Sequence, residues 1–369
     1  MDPKKRSLND STPNKKRHVY FDDNNDDDDE FNKYYNQNND DNNNDNDSDN
    51  NDKEDEKELV IIDKEINNLN DLIELGKIYD PTKKYSINLK ILNKLVDSLT
   101  ELNNLIGMET VKQDMVDLII YKIQNFDDNN DMLHTVIFGP PGVGKTEVAK
   151  IIGKIYLNLG ILKNNKFIKA KRSDLVAGYL GQTAKLTQKV IDSANGGILF
   201  IDEVYSLGNN EKRDSFSKEC IDTLNENLTE KKNDFICIIA GYKDEINTCF
   251  FSYNPGLERR FPVRFTIEPY KGNELFLIFK KKITDINWTI DDSIKSSFFD
   301  KNIKYFQNFG GDMEILFSRC KRSHSRRVFT SSESNKKHIT LIDLQKGFES
   351  FIQHKQIKDK NNSWKNMYI

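Results

Sequence analysis

Apolar residues along the chain fall into three regimes. Residues 1–57 carry almost none at any regular spacing. From Leu59 they recur every three or four positions, at Ile61, Ile62, Ile66, Leu69, Leu72, Ile73 and Leu75, which predicts a helix stopped by Gly76 and Pro81. A second helical pattern covers Leu89 to Leu99 and leads to Leu105, Ile106, Gly107 and Met108. Two amphipathic helices rarely make a stable core alone, so both are expected to pack on the next domain or on a neighbouring subunit. Five short apolar runs come next, alternating with helical stretches: Thr135 to Phe138, Phe167 to Ala170, Gly197 to Ile201, Phe235 to Ala240 and Arg264 to Ile267. Runs apolar on both faces read as fully buried strands, so the fold class is α/β, a five-stranded parallel sheet between layers of helices. After Lys271 the strand signal stops. Phe276, Leu277 and Phe279, then Ile315, Leu316 and Phe317, predict a small all-α domain that closes with Leu341 to Ile352. The expected organisation is a tail at 1–57, a helical segment at 58–100, a large α/β unit at 101–270, a helical unit at 271–357 and a frayed end at 358–369. No apolar run approaches the length of a membrane span.

Composition changes this picture mainly at the N-terminus. The formal charge of −4 looks balanced, yet about −9 of it sits in residues 1–57, which leaves the rest near +5. Two basic clusters, Lys4-Lys5-Arg6 and Lys15-Lys16-Arg17, precede an Asp/Asn tract from Asp22 to about Glu56. With so little to bury, this region reads as a disordered, solvated tail. The basic pair also fits a two-part nuclear import signal with a short gap, and the acidic tract fits a solubilising or nucleic-acid-imitating role. Cys220, Cys237, Cys249 and Cys320 show no CxxC spacing and no charged-then-apolar leader opens the sequence, so an intracellular compartment is expected, cytoplasmic with nuclear as the alternative. The five histidines are scattered, which gives a metal other than magnesium no support.

Chemistry concentrates in one stretch, Gly139-Pro140-Pro141-Gly142-Val143-Gly144-Lys145-Thr146. An apolar run precedes it and a helical pattern succeeds it, the strand-loop-helix context of a phosphate-binding loop. Glycines let successive N–H groups curl around a phosphate, and the helix N-terminus adds partial positive charge. Lys145 is expected to meet the β- and γ-phosphates of ATP, and the Thr146 hydroxyl to ligate Mg2+. The run Ile198-Leu-Phe-Ile201 ends in Asp202-Glu203. Asp202 is expected to hold the magnesium shell through water, and Glu203 to orient or deprotonate the attacking water.

Further motifs carry a family resemblance. Asp174-Leu-Val-Ala-Gly-Tyr-Leu-Gly-Gln-Thr183, Gly196 to Glu203, Ile239-Ala-Gly-Tyr-Lys-Asp244 and Asn254-Pro-Gly-Leu-Glu-Arg-Arg260-Phe stand in this order. From about Leu105 to Pro269 the chain resembles an AAA+ ATPase module of the CbxX/CfqX branch, which includes the red-type Rubisco activases. With the helical lid, the resemblance covers about two thirds of the chain.

The resemblance implies ATP hydrolysis by a homo-oligomer, expected to be a hexamer, that remodels a protein client. Tyr179-Leu180-Gly181 falls at the family's pore loop, where an aromatic ring grips an extended peptide. Ser206 to Phe216 fits either a second such loop or a solvent loop. Arg259 and Arg260 fall at the arginine finger that reaches a neighbour's nucleotide, with Arg260 favoured. Tyr242 stands where many modules keep a sensor Asn, and Ile106-Gly107 corresponds to the adenine turn. Relatives often place an Arg shortly after a Gly-Asn pair in the lid; here Gly310-Gly-Asp-Met-Glu314 lacks it, and Arg319 lies more than a turn away. The basic run Lys321 to Arg327 lacks interleaved aromatics and reads as a solvated or interface face before a nucleic-acid site. Two further functions stay open: a nucleotide-controlled assembly factor on nucleic acid, and a low-turnover ATP-binding scaffold. The Asp/Asn/Lys/Ile bias suits an AT-rich coding genome, such as that of a protist or of a large virus of protists.

Overall fold

The computed structural model describes residues 59–126, 131–179, 181–208, 214–330 and 336–365, the last ten as backbone. The tail at 1–57, Leu180 and the middle of the Ser206-to-Phe216 segment lie outside the described residues. Strand β1 (Leu59–Val60) pairs in parallel with β2 (Lys84–Tyr85), and helix α1 runs only over Leu69–Lys77. The helix expected from Leu59 therefore begins ten residues later. Asn68 fixes its start: the Asn68 side chain accepts the N–H groups of Asn70 and Asp71, while the Asp71 carboxylate accepts the N–H of Asn68. Nor does Gly76 stop it. Gly76 is buried in the last turn, where a Cβ would stand 2.6 Å from the Leu92 carbonyl oxygen of α2 (Leu89–Asn103).

Helix α3 (Glu109–Ile123), strand β3 (Thr135–Phe138) and helix α4 (Lys145–Asn158) come next. The N-terminal helices pack on this unit of their own chain. Leu95, Leu99 and Leu102 are fully buried in one core with Ile152 and Ile155, and Lys154 of α4 reaches Glu101 of α2 at 2.8 Å.

The sheet is completed by β4 (Phe167–Ala170), β5 (Ile198–Ile201), β6 (Ile236–Gly241) and β7 (Val263–Thr266). All five strands are parallel, in the order β4-β5-β6-β3-β7. Every residue of β3, β5 and β6 is buried, because helices α5 (Arg172–Leu175), α6 (Thr183–Ser193), α7 (Ser215–Glu230) and α8 (Lys243–Cys249) accompany α4 in covering the sheet. One core on each side results, with Ile137, Phe200 and Ile238 facing one and Val136, Leu199 and Ile239 the other.

The C-terminal unit comprises α9 (Gly272–Thr284), α10 (Ser296–Asn302), α11 (Phe309–Val328) and α12 (Leu341–Lys365). Phe279, Phe299, Phe306, Phe317 and Phe351 fill its centre at ring separations of 5.4–6.0 Å. A two-residue parallel pair, β8 (Thr289–Ile290) with β9 (His338–Ile339), is added to these helices. Helix α12 continues to Lys365, past the fraying expected from 358, and Lys355 ties it to the buried Asp312 of α11 at 2.7 Å.

Candidate active site

Strands β3, β5 and β6 end side by side. Phe138 is in register with Gly241 and Ile201 with Ile239, and the Gly139 N–H donates to the Gly241 carbonyl at 3.1 Å. The segments leaving these three strands therefore converge on one cavity of about 370 Å³, lined by Gly142, Lys145, Thr146, Asp202, Glu203 and Tyr242 among others. This is the carboxyl end of a parallel sheet, where the chain order reverses direction and ligands are received.

Gly142 (φ 74°) and Gly144 (φ 91°) hold left-handed backbone that a side chain would strain. Gly144 also opens α4, and no side chain caps that helix. Its first N–H groups are left for an outside acceptor, so loop and helix together make an anion cradle. Lys145 folds over the loop, its Nζ donating to the carbonyls of Gly139 (3.0 Å) and Pro140 (2.8 Å) and lying 5.8 Å from the Tyr242 ring centre. Burial pulls the Lys145 pKa down, and the Asp202 and Glu203 carboxylates push it back up.

Asp202 accepts the Thr146 hydroxyl at 3.3 Å, which places the two expected magnesium-shell residues together across 56 positions of sequence. The next residue, Glu203, is exposed and adopts φ 49°, ψ 44°. A non-glycine residue in that region stores roughly 1–3 kcal/mol, and such strain clusters at working sites. Tyr205 lies tilted against Tyr242 with ring centres 5.9 Å apart, and its phenol pKa is pushed up to about 12, first by burial and then by the Glu203 charge. Glycine-lined N–H groups, an ammonium and a Thr–Asp pair beside an exposed Glu suit a nucleoside triphosphate with a divalent cation held mainly through water and phosphate.

The rest of the loop is fixed from outside. The Val143 carbonyl accepts the Tyr270 hydroxyl at 3.0 Å, and the Gly310 N–H of α11 donates to the Gly142 carbonyl at 2.9 Å. A Cβ on Gly142 would stand 2.0 Å from the Asn308 carbonyl oxygen, so the C-terminal unit rests directly on the phosphate loop. The turn after Ile106 reaches the loop: Gly107 (φ 68°) packs on Glu274 and Tyr270, and the Met108 methyl lies against Gly144. Asp312, the acid standing near the missing lid cation, is buried under Lys355, and Arg319 lines a separate groove between α11 and α12.

Two groups lie away from the cavity. Tyr179 is 75% exposed, and Gly178 and Gly181 (φ 73°) beside it have open space where a Cβ would stand. That loop is anchored from below by the buried Thr183, whose Oγ1 accepts the Ala177 N–H at 3.3 Å, and by the Thr187 hydroxyl on the Leu175 carbonyl at 2.8 Å. Arg260 is tied to its own subunit, Nε donating to Thr229 Oγ1 at 2.6 Å and a terminal nitrogen to the Gly256 carbonyl at 2.7 Å. Arg259 is exposed and has no polar partner among the described residues.

Several residues at the site are absent from the sequence-based set. Lys169 of β4 lies 3.8 Å from Asp202, and Arg172 holds the carbonyls of Ser206 and Leu207 together with Asp214, clamping the segment after Glu203. A lysine inside the run Phe-Ile-Lys-Ala was the one readable signal; Tyr270, Asn308 and Arg172 act across distances of sequence that no local pattern spans.

Residues 135–269 match the ATPase family associated with various cellular activities (AAA). The chain is 43% identical over 310 residues to a putative CfxQ-like protein of Acanthamoeba polyphaga mimivirus, an alignment covering 82% of this chain and 76% of that one. It is 30% identical over 275 residues to the chloroplastic ribulose bisphosphate carboxylase/oxygenase activase of Cyanidioschyzon merolae, covering 73% and 86% of the two chains. A CfxQ homolog of Pyropia yezoensis is 30% identical over 295 residues, covering 76% and 93%.

Proposed function

Because the chain belongs to the CfxQ-like (CbxX-type) family of AAA ATPases, we propose that it hydrolyses magnesium-bound ATP as a ring, a hexamer, and uses the cycle to pull on a protein client. The observation that carries this reading is the meeting of Lys145, Thr146, Asp202 and Glu203 in one cavity while Tyr179 stands exposed on a separate, tethered loop. In it, Lys145 leaves its loop carbonyls for the phosphates, and the N–H groups at the start of α4 hold the same oxygens. Glu203 takes the proton of the water that attacks the γ-phosphorus, and ADP leaves as phosphate forms. Thr146 and Asp202 hold magnesium, which supplies positive charge against the phosphate oxygens. Arg259 supports a trans-acting role better than Arg260, whose guanidinium is already engaged in its own subunit. Coupling to the client runs through Arg172, since it spans the segment behind Glu203 and the helix leading to Tyr179. The activase relative, by its name, acts on another protein, which supports a protein client here.

Glu203→Gln is expected to bind ATP and form a stable ring while turnover falls roughly 10²- to 10⁴-fold. Tyr179→Ala is expected to hydrolyse ATP near the wild-type rate and to lose work on the client captured by the Glu203→Gln ring. A Tyr179→Ala protein that still remodels that client would sink the pulling reading and leave the ATPase intact.

A further inference from the structure

A second charged cavity, about 520 Å³ in volume, lies between α11 and α12, and nothing in the ATPase reading uses it. Arg319, Arg322 and Arg326 line it from α11 at intervals of three and four residues, one face of that helix, and Lys346 lines it from α12. Arg327 also lines it but is held by the buried Asp343 at 3.1 Å, the single acid of the lining. Among the described residues the other four cations make no ion pair. Like charges gathered in one concave wall repel each other and raise the local potential by several kT, so the groove favours an anionic occupant. Three of the four are arginines, whose planar forks meet carboxylates two hydrogen bonds at a time.

The groove is not charged throughout. Ile342, 53% exposed, is part of its lining, and Phe329, 86% exposed, carries the face of Arg322 and Arg326 on by another turn, because its backbone is still helical. Apolar side chains bordering a cluster of guanidiniums suit a segment that brings carboxylates and a large apolar residue together. A peptide supplies both, whereas an inorganic polyphosphate supplies charge alone. Single-stranded nucleic acid is the less favoured occupant, since it binds by stacking successive bases on rings along its groove and this lining contains none. From Arg319 to Arg326 the helix rises about 10 Å, the reach of about three residues of extended chain, so a short segment spans the arginines. We infer that the groove docks an acidic segment of a partner protein, carrying at least one large apolar residue, through Arg319, Arg322, Arg326 and Lys346. The inference rests on the proposed protein client only for what the partner is: the groove shares no lining residue with the phosphate cavity, and docking there needs no hydrolysis.

Fluorescence anisotropy on the full chain, without nucleotide, tests this with a labelled peptide built from repeats of Glu-Leu-Asp-Ser. Replacing its acids by Gln and Asn, or introducing Arg322→Gln/Arg326→Gln into the protein, is expected to weaken binding about tenfold or more. Raising the salt from 0.1 M to 1 M shortens the screening length from about 10 Å to about 3 Å and should weaken it by a similar factor. Replacing the Leu by Ala is expected to cost about fivefold with the wild type and much less with Phe329→Ala, the mark of a direct contact. Carbodiimide, which joins an amine to a carboxylate in contact, should link the bound peptide to Lys346 about fivefold more than to the exposed Lys94 and Lys218. The double variant, on exposed positions outside the phosphate cavity, should keep its ATPase rate. The proposal is overturned if the uncharged peptide binds as well, if the double variant binds the acidic peptide undiminished, or if all three lysines couple equally. It is overturned too if single-stranded DNA or polyphosphate of equal charge binds more tightly than the peptide. None of these outcomes touches the Glu203→Gln and Tyr179→Ala tests, so the docking and the motor readings fail separately.

Discussion

His134 is a residue whose protonation the fold decides. The Cys237 N–H donates to its Nδ1 at 3.0 Å, and its Nε2 lies 2.9 Å from the Leu228 carbonyl, so one nitrogen must accept and the other donate. Only the neutral ring does both. Burial accordingly lowers its pKa from 6.5 to about 4. Between those values the unfolded chain binds a proton that the folded chain refuses, so this contribution is complete above pH 6.5 and is lost as pH falls toward 4, by about 1.4 kcal/mol per pH unit. His134→Asn keeps an acceptor for Cys237 and removes the titration. Urea midpoints at pH 7.5, 6 and 5 should therefore converge for the two proteins as pH falls; parallel curves would refute the assignment. The two arginines separate on the same kind of evidence. Arg259→Ala should cut ATP turnover by roughly 10³-fold or more, whereas Arg260→Ala should chiefly lower the melting temperature, because its bonds hold Thr229 and Gly256 of the same chain. Sequence spacing could not tell the neighbours apart; their hydrogen bonds differ, and the two variants test whether their roles do.

At the scale of elements, the strands were legible because burial on both faces leaves a local mark: Val136 and Ile137, or Leu199 and Phe200, are apolar on consecutive positions. The phosphate loop and Asp202-Glu203 were legible for the same reason, each being contiguous. The first helix was misjudged where tertiary contacts rule. Residues 59–60 pair with a strand some 25 positions away, and the Asn68–Asp71 box that starts the helix is a short polar signal inside an apolar periodicity. Gly76 is the sharper case. On propensity alone, Gly to Ala inside a helix gains roughly 1 kcal/mol. Here a Cβ would meet the Leu92 carbonyl oxygen and the Val96 Cγ2, both at 2.6 Å, and overpacking costs about 1–3 kcal/mol. Packing wins, so Gly76→Ala should lower the melting temperature. Gly311→Ala in α11, whose nearest neighbour would be Asn308 Cβ at 4.0 Å, should raise it or leave it unchanged. Thermal unfolding of both variants decides: shifts in the same direction would mean that helix propensity, not the α1–α2 contact, controls Gly76.

For the molecule as a whole, the cavity is short of positive charge. A magnesium-bound triphosphate keeps about two negative charges, of which Lys145 offsets about one. Lys169 lies beside Asp202, and among the described residues no arginine lines the cavity. The remaining charge grows toward the transition state, so the site calls for a guanidinium from elsewhere, and Arg259 is exposed with no described residue of its own chain to hold it. If it acts on a neighbour, two inactive proteins must repair each other. Glu203→Gln has an impaired site and a sound Arg259, and Arg259→Ala the reverse. Mixed one to one in a ring, about a quarter of the interfaces join a sound site to a sound arginine, and turnover should return to about a quarter of the wild-type value. A ring also loses this activity on dilution, as the protomers part. Were Arg259 to serve its own site, each subunit would carry its own defect and the mixture would be as inactive as its components at every ratio.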